Sequence, residues 1–331
     1  MRKTASFLQE YGVLIAFAVL FLINVFTRGA SFLQFENLRN LFSQSAYVGI
    51  IAVGMTLVII SAGIDLSVGS LVALCGAFCV LTLNKFAGMG DSMAILMACG
   101  ASVAIGTVMG LLNGAMIAYG RVAPFVVTLA GLAGFRSLAL VLGNGGEIRS
   151  NVSSIDGIGF GGINIPGAHL ANGGPVTFYW SAVAFLLVAI FFGFILNRTR
   201  FGRRVVAVGA NEKAAKYSAI NTERIKLAVY TITGGLCGLT AFFNVARQNS
   251  VATGAVGHFF ELDAIAAVVI GGTSLSGGRG RIWGTVVGIV LMTLISNMMT
   301  AYRVDTNWQG FVSGLVILVA VLLQRGSKAN G

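Results

Sequence analysis

The stretch AYVGIIAVGMTLVIISAGIDLSVGS, residues 46–70, decides the fold. Its first part, Ala46–Ser61, carries no charge and leads into a glycine-containing break, Gly63–Gly69, that holds a lone aspartate, Asp65. A helix needs roughly 20 apolar residues to cross a hydrocarbon core about 30 Å thick, and this run approaches that length. Similar runs recur along the whole chain, so the sequence predicts a protein built from membrane-crossing helices.

The composition agrees with a membrane location for the entire chain. Of 331 residues, 56% are hydrophobic and 10% are charged, and the mean hydropathy is +0.87. A soluble domain carries about 25% charged residues, so this chain has too few to cover a water-facing surface. Glycine is abundant (45 residues), which favours close packing between membrane helices. We therefore expect residues 1–331 to form a single transmembrane domain.

Ten apolar runs define the predicted architecture, an all-α polytopic membrane helical bundle of about ten transmembrane helices. The second and eighth runs are short, and each leads into a glycine-containing break, at 63–69 and 271–278. The runs are Tyr11–Phe26, Ala46–Ser61, Leu66–Leu83, Met93–Ala118, Phe125–Leu142, Phe178–Leu196, Leu227–Arg247, Glu261–Gly272, Ile282–Met299 and Trp308–Leu323.

The basic residues sort by loop and predict the orientation. One set of alternate loops holds Arg28, Arg39, Lys85, Arg149 and Arg303. The other holds fifteen: Arg2, Lys3, Arg121, Arg198, Arg200, Arg203, Arg204, Lys213, Lys216, Arg224, Lys226, Arg279, Arg281, Arg325 and Lys328. Because basic loops stay inside, both termini are predicted to be cytoplasmic. The net charge of +11 thus reflects membrane orientation rather than nucleic-acid binding. A loop at about 143–177 is then periplasmic, and a basic loop at about 197–226 is cytoplasmic.

Catalytic motifs are missing from the sequence. No G-x-x-x-x-G-K-[ST] phosphate-binding loop occurs, and none of the six lysines follows a glycine. His169 and His258 lie far apart, which argues against a metal site or a catalytic triad. The four cysteines (Cys75, Cys79, Cys99 and Cys237) lie in apolar runs as packing residues. We expect no enzymatic activity and no cofactor bound by this chain.

Polar residues at membrane depth are the candidates for a transport pathway or gate, because their burial is costly. They are Asp65, Ser67, Asn113, Arg136, Asn244 and Arg247. Two of them have a structural alternative: Asp65 could cap the third span, and Arg136 could extend its side chain outward to the interface. Glu261 and Asp263 suit the first turn of the eighth span. Away from breaks and span ends no run contains a carboxylate, which favours energy supplied from outside the chain.

The basic loop at 197–226 contains a segment with helical character. Asn211 is a suitable N-cap, Glu212 suits the first turn, and alanines continue to Ala219. The sequence therefore predicts a short helix on the cytoplasmic side.

Several segments resemble the permease subunits of ribose-type sugar ABC importers. They are Gly54–Ile59 leading into Ser61–Ser70, Pro124–Leu129, Thr199–Gly202 with Val208–Asn211, and Glu261–Gly280. The matches follow the family order across about residues 40–320. Ala210 departs mildly from the glycine that members often have, and the loop at 143–177 has no recognised counterpart.

The resemblance implies an inner (plasma) membrane permease that acts with a second copy or homologue, cytoplasmic ABC ATPase subunits that use ATP, and a periplasmic sugar-binding protein. It assigns the cytoplasmic helix, with Gly209, Asn211, Glu212, Ala214 and Ala215, to coupling with the ATPase; a solvated surface helix is the alternative. Docking of the binding protein is expected near Glu147, Arg149 and Glu261. Competing functions are an autonomous secondary transporter or channel and a membrane scaffold or receptor. The sugar is left open.

Overall fold

The computed structural model describes residues 15, 17–169, 175–305, 308, 310–312, 314, 315 and 318. The α-helices with bounds in this part of the chain are α1 Phe17–Arg28, α2 Ala30–Leu33, α3 Phe35–Ile60, α4 Val68–Phe86, α5 Asp91–Ala118, α6 Pro124–Leu142, α7 Asp156–Gly159, α8 Trp180–Arg198, α9 Arg200–Ala210, α10 Glu212–Tyr217, α11 Thr222–Gln248, α12 Phe260–Ile270 and α13 Ile282–Ala301. Two 3-10 helices, Ala87–Met89 and Ser153–Ile155, and helical residues between 308 and 318 are described as well. Seven of the α-helices (α3, α4, α5, α6, α8, α11 and α13) are long and apolar enough to cross a membrane.

The predicted spans compare with these helices as follows. Helix α12 coincides with the eighth run and, with 11 residues, is shorter than the seven long helices. The described part of α1 overlaps the first run, of which residues 11–14 and 16 lie outside the described residues. The tenth run, Trp308–Leu323, lies mostly outside the described residues. A total of about ten crossings therefore stays a prediction. The second run was predicted too short, because α3 begins at Phe35 and has 26 residues. In its polar first turns, Arg39 packs over the ring of Tyr179 and pairs with Glu36.

Strands occur in the segment that was predicted as an irregular loop, so the description all-α needs correction. β1 (Glu147–Arg149) pairs antiparallel with β4 (Ser250–Ala252), and β2 (Gly162–His169) pairs antiparallel with β3 (Pro175–Tyr179). The β1–β4 pairing ties the loop after α6 to the end of α11. Strand pairing gives these backbone groups hydrogen-bond partners that an isolated loop would lack.

Helix α3 is the centre of the bundle. Every residue from Gly49 to Ile60 is buried, and the helix packs against α8, α11, α12 and α13. A helix that is apolar on all sides is suited to such a position.

Glycines bring α5 and α11 into backbone contact. A methyl group on Gly234 of α11 would overlap the carbonyl oxygen of Gly106 and lie 2.8 Å from the Cα of Gly110 on α5. One on Gly238 would overlap the carbonyl oxygen of Ser102. Lipid tails are as apolar as the side chains, so helices associate through close van der Waals contact of this kind.

The segment before α12 is irregular backbone that Arg136 holds in place. Arg136 lies about 18 Å along α6 from its first residue, and its NH1 donates to the carbonyl oxygens of Thr253 and Val256, both at 2.8 Å. Non-helical backbone at membrane depth must be satisfied by protein groups, since no water is present there. The guanidinium therefore binds backbone within the protein instead of extending outward. Helix α12 then runs for about 16 Å, roughly half of a hydrocarbon core.

Removing the Arg136 donors will destabilise this segment. We expect Arg136→Met to lower the free energy of unfolding by about 3 kcal/mol, because two carbonyls lose a charged donor. Arg136→Lys, which keeps a cationic donor, should lose less. Thermal unfolding of the purified variants in detergent measures both changes. Equal stability of the Met variant and the wild type would show that these hydrogen bonds do not hold the segment.

Candidate functional site

The six predicted pathway residues fall into three separate groups. The first group joins the break after α3 to α5. Ser67 donates to Asp65 Oδ1 through its backbone nitrogen (2.9 Å) and its hydroxyl (2.6 Å), and Asn113 Nδ2 donates to the Ser67 hydroxyl at 3.0 Å. All three residues are buried. A carboxylate, a hydroxyl and an amide in one network are the groups that hydrogen-bond a polyhydroxylated solute.

The alternative that Asp65 is the N-cap of the third span is wrong, because the cap lies two residues further along the chain. The N-cap of α4 is Ser67, and the helix begins at Val68. Asp65 instead accepts from the backbone nitrogen two residues later, the pattern of an Asx turn. The carboxylate thus shapes the break before the helix, and no side chain caps α4 itself.

The second group surrounds the start of α12. Arg136 binds the carbonyls of Thr253 and Val256, as described above. Glu261 lies in the first turn of α12, as predicted, and its Oε2 would be 2.5 Å from a methyl group on Gly69 of α4. Glu261 therefore packs between α12 and α4.

Two of the three predicted docking residues lie together on β1. Arg149 Nε and NH2 donate to Glu147 Oε2, both at 3.2 Å, and Arg149 is largely exposed. Hydrogen bonds from Ser250 and Arg149 hold the pKa of Glu147 below its usual value. β1 pairs with the strand that follows α11, so this pair lies at the end of α11 away from α10. Glu261, packed against Gly69, belongs to a different site.

The third group lies in the last turns of α11. Asn244 accepts a hydrogen bond from Gln248 Nε2 at 2.7 Å. The Arg247 guanidinium lies 4.0 Å from the ring centre of Phe160 and 5.0 Å from that of Tyr179.

The Arg39 guanidinium of α3 lies 4.7 Å from the centre of the same Tyr179 ring, so two guanidinium groups contact one tyrosine ring. The electron-rich face of an aromatic ring attracts a cation, and the attraction is larger where water is excluded. Sequence reasoning missed Arg39, Phe160 and Tyr179 as members of this cluster. The sequence signal that could have identified this cluster is Arg39, an arginine in the first turns of an apolar helix.

The basic loop folds into two short helices with side-chain caps. The Thr199 hydroxyl accepts from the backbone nitrogen of Gly202 at the start of α9, and Asn211 Oδ1 accepts from that of Ala214 at the start of α10. Asn211 caps α10 as predicted, but the helix ends at Tyr217, before the predicted Ala219, whose φ is 58°. Helix α9 was not predicted, although the spacing of its apolar residues was a usable pattern: Phe201, Val205 and Val208.

Two ion pairs brace α10 against the first turns of α11. Lys226 contacts Glu212 at 2.7 Å, and Lys216 contacts Glu223 at 2.6 Å. Both pairs are partly exposed, so each contributes little stability by itself but limits the orientations open to the short helix.

The predicted coupling residues divide between the two sides of this region. Gly209 and Ala215 are buried, Asn211 and Ala214 are exposed, and Glu212 is half-buried in its ion pair. Tyr217, which the sequence reasoning did not select, is 92% exposed at the end of α10. An aromatic side chain so exposed on a braced helix is available to a partner protein.

Within the described ranges, no three His, Cys, Asp or Glu side chains form a group that could hold a metal ion. The four cysteines are free thiols; Cys75, Cys79 and Cys237 are buried and Cys99 is half-buried.

Comparison with known proteins gives full-length matches. Residues 37–321 match the family described as branched-chain amino acid transport system / permease component. The ribose import permease protein RbsC of Escherichia coli (strain K12) is 39% identical over 97% of this chain and 95% of its own length. RbsC of Bacillus subtilis (strain 168) is 40% identical over 99% and 94%. The xylose transport system permease protein XylH of Haemophilus influenzae is 35% identical over 97% of each.

These matches confirm the resemblance read from the segments at 54–70, 124–129, 199–211 and 261–280. With its long apolar helices, the protein is a multi-pass protein of the bacterial inner membrane. The chain, with its glycine breaks, its short helix α12 and its capped helices α9 and α10, therefore belongs to this family of transport permease components.

Proposed function

We propose that this chain is the permease subunit of an ABC importer that carries a monosaccharide of the pentose class across the inner membrane. Relatives that are 35–40% identical over nearly their whole length carry the names ribose import permease and xylose transport permease. ATP is hydrolysed by separate cytoplasmic subunits, because the chain has no phosphate-binding loop in its sequence. The chain itself binds no cofactor.

The observation that carries this proposal is the presentation of α10. The helix is capped by Asn211, braced by the Glu212–Lys226 and Lys216–Glu223 ion pairs, and exposes Tyr217. A short, well-supported helix with an exposed aromatic residue suits a groove on a cytoplasmic subunit. An autonomous channel or secondary transporter would have no use for it.

The distribution of basic residues supports placing α10 in the cytoplasm. Of the 18 basic residues in the described ranges, the region around α10 carries eleven: Arg121, Arg198, Arg200, Arg203, Arg204, Lys213, Lys216, Arg224, Lys226, Arg279 and Arg281. By the positive-inside rule this end is cytoplasmic. The β1 pair, Glu147 and Arg149, then faces the periplasm, where a sugar-binding protein docks. Both termini are cytoplasmic in this arrangement, and the membrane domain includes all ten predicted spans.

The transport path is completed by a second permease copy or homologue. The hydrogen-bonding groups of Asp65, Ser67 and Asn113 satisfy one another in the single chain. Because these groups bond to one another, they are only weakly available to a sugar. This suits a path that a sugar crosses without tight binding. Selectivity then belongs to the periplasmic binding protein.

Tyr217 is predicted to anchor the ATPase. We expect Tyr217→Ala to weaken assembly of the permease with its ATPase by about tenfold, because exposed aromatic residues dominate protein interfaces. Permease stability should be unchanged, since the side chain is exposed. Tyr302→Ala is the matched control. This tyrosine is 50% exposed and follows the last residue of α13, at the end of that helix away from α10. Quantitative co-purification in mild detergent measures both variants. Equal recovery of the ATPase with Tyr217→Ala and with wild type would contradict the assignment.

The complete proposal is tested by purifying the tagged chain from its native membrane in mild detergent. We expect a stoichiometric P-loop ATPase in the complex. The complex is then placed in proteoliposomes that are supplied with ribose or xylose and the cognate binding protein. They should accumulate sugar only when ATP is present on the side of the membrane that α10 faces. Sugar flux by an oligomer of this chain alone would instead establish an autonomous transporter, and a complex without flux would indicate a scaffold or receptor.

A further inference from the structure

The strongest unexplained feature is a point at which three backbone segments meet. The last turn of α9, the end of α3 and the turn before α13 converge on Gly209. A methyl group on Gly209 would overlap the Ile60 carbonyl oxygen and lie 2.8 Å from the backbone nitrogen of Gly278. We call the contact of Ile60, Gly209 and Gly278 the glycine junction.

A backbone hydrogen bond, in addition to close packing, holds the junction together. The backbone nitrogen of Gly278 donates to the Ile60 carbonyl at 2.9 Å, which satisfies one of the free carbonyls at the end of α3. A methyl group on Gly277 would lie 2.7 Å from the Gly209 carbonyl oxygen and 2.8 Å from the Ala62 Cβ. Each of the three segments therefore touches both of the others.

The junction stands between α10 and both breaks of the membrane helices. Gly209 precedes Asn211, the cap of α10, by two residues. Ile60 is followed directly by the break that leads to Asp65 and Ser67, and Gly278 lies in the break between α12 and α13. The contacts between these segments are backbone contacts, so a displacement of the end of α9 moves both breaks or breaks the contact, and α10 is joined to that end through Asn211.

The surroundings permit such a movement. Ala62, Gly277 and Gly278 have φ of 62°, 80° and 72°, in the left-handed region that non-glycine residues such as Ala62 rarely adopt. A cavity of about 380 Å³ lies beside the junction, lined in part by Ser61, Asn211 and Tyr230. The strained Ala62 beside this open space differs from the close-packed helix contacts between α5 and α11.

We propose that Gly209 is a positioning residue that couples α10 to both glycine breaks, so that motion imposed on α10 from the cytoplasmic side reaches the Asp65–Ser67–Asn113 network. This inference rests on the proposed function, since it requires an ATPase that moves α10. It assigns Gly209 a role through backbone contact with its own chain, not through contact with the ATPase. Gly209 is helical, so alanine there meets a steric clash but no backbone strain.

The test compares Gly209→Ala with Gly234→Ala in the assembled complex. Both methyl groups overlap a carbonyl oxygen of a neighbouring segment, but Gly234 lies between α5 and α11, away from the junction. For Gly209→Ala we expect ATP hydrolysis near the wild-type rate with sugar uptake per ATP reduced about tenfold. For Gly234→Ala we expect less assembled complex with an unchanged ratio. An unchanged ratio for Gly209→Ala overturns the inference, as does an equal loss of ratio in both variants.

A measurement on the wild type keeps the inference testable if Gly209→Ala does not fold. Hydrogen–deuterium exchange of the complex is compared between ADP-bound and ATP-trapped states. We expect residues 60–67, 208–217 and 272–281 to change exchange together. Change in 208–217 without change in the two breaks overturns the inference and leaves the proposed function intact. Absence of ATP-driven uptake by the wild-type complex overturns both.

Discussion

Backbone-to-backbone contact through glycine is the constraint on which the bundle depends. In a bilayer the hydrophobic effect does not drive helices together, so they gain stability by approaching until their main chains touch. Gly234 and Gly238 place α11 on α5 in this way. Gly271 of the turn after α12 and Gly284 of α13 do the same at the second break, where a methyl group on either would enter the backbone of the other. Substituting a larger residue at any of these contacts would separate two elements and alter everything packed on them.

Irregular backbone at membrane depth imposes a second requirement, and the chain meets it with specific donors. Arg136 supplies two hydrogen bonds to the segment before α12, and Gly278 supplies one to the end of α3. Tyr230 donates from its hydroxyl to the Ile64 carbonyl, within the first break. The first break and the segment before α12 are thus each bonded by a donor from another element, and the second break donates to the end of α3.

The sequence predicted the features that depend on local pattern. Apolar length located the spans, glycine located both breaks, and Asn211 located the start of α10. Features that depend on distant contacts were missed: the β1–β4 pairing joins residues about 100 positions apart, and Arg39, in the first turns of α3, contacts the ring of Tyr179. The candidate polar residues were chosen for their chemistry, which could not show that Asp65, Ser67 and Asn113 connect while Arg136 and Arg247 lie elsewhere.

The two kinds of glycine contact imply two different mechanical roles within the membrane domain. Between α5 and α11 the touching residues lie in regular helix, where every backbone group is already bonded and the contact is rigid. At the glycine junction the partners of α9 are the last residue of α3 and the turn before α13, where Gly277 and Gly278 have left-handed conformations, and Gly209 lines a cavity. A rigid pair of helices provides a fixed frame, and contacts through turns allow displacement without loss of helical hydrogen bonds. The proposed importer has a use for both kinds of contact, and the contacts at the glycine junction lie between α10 and the Asp65–Ser67–Asn113 network.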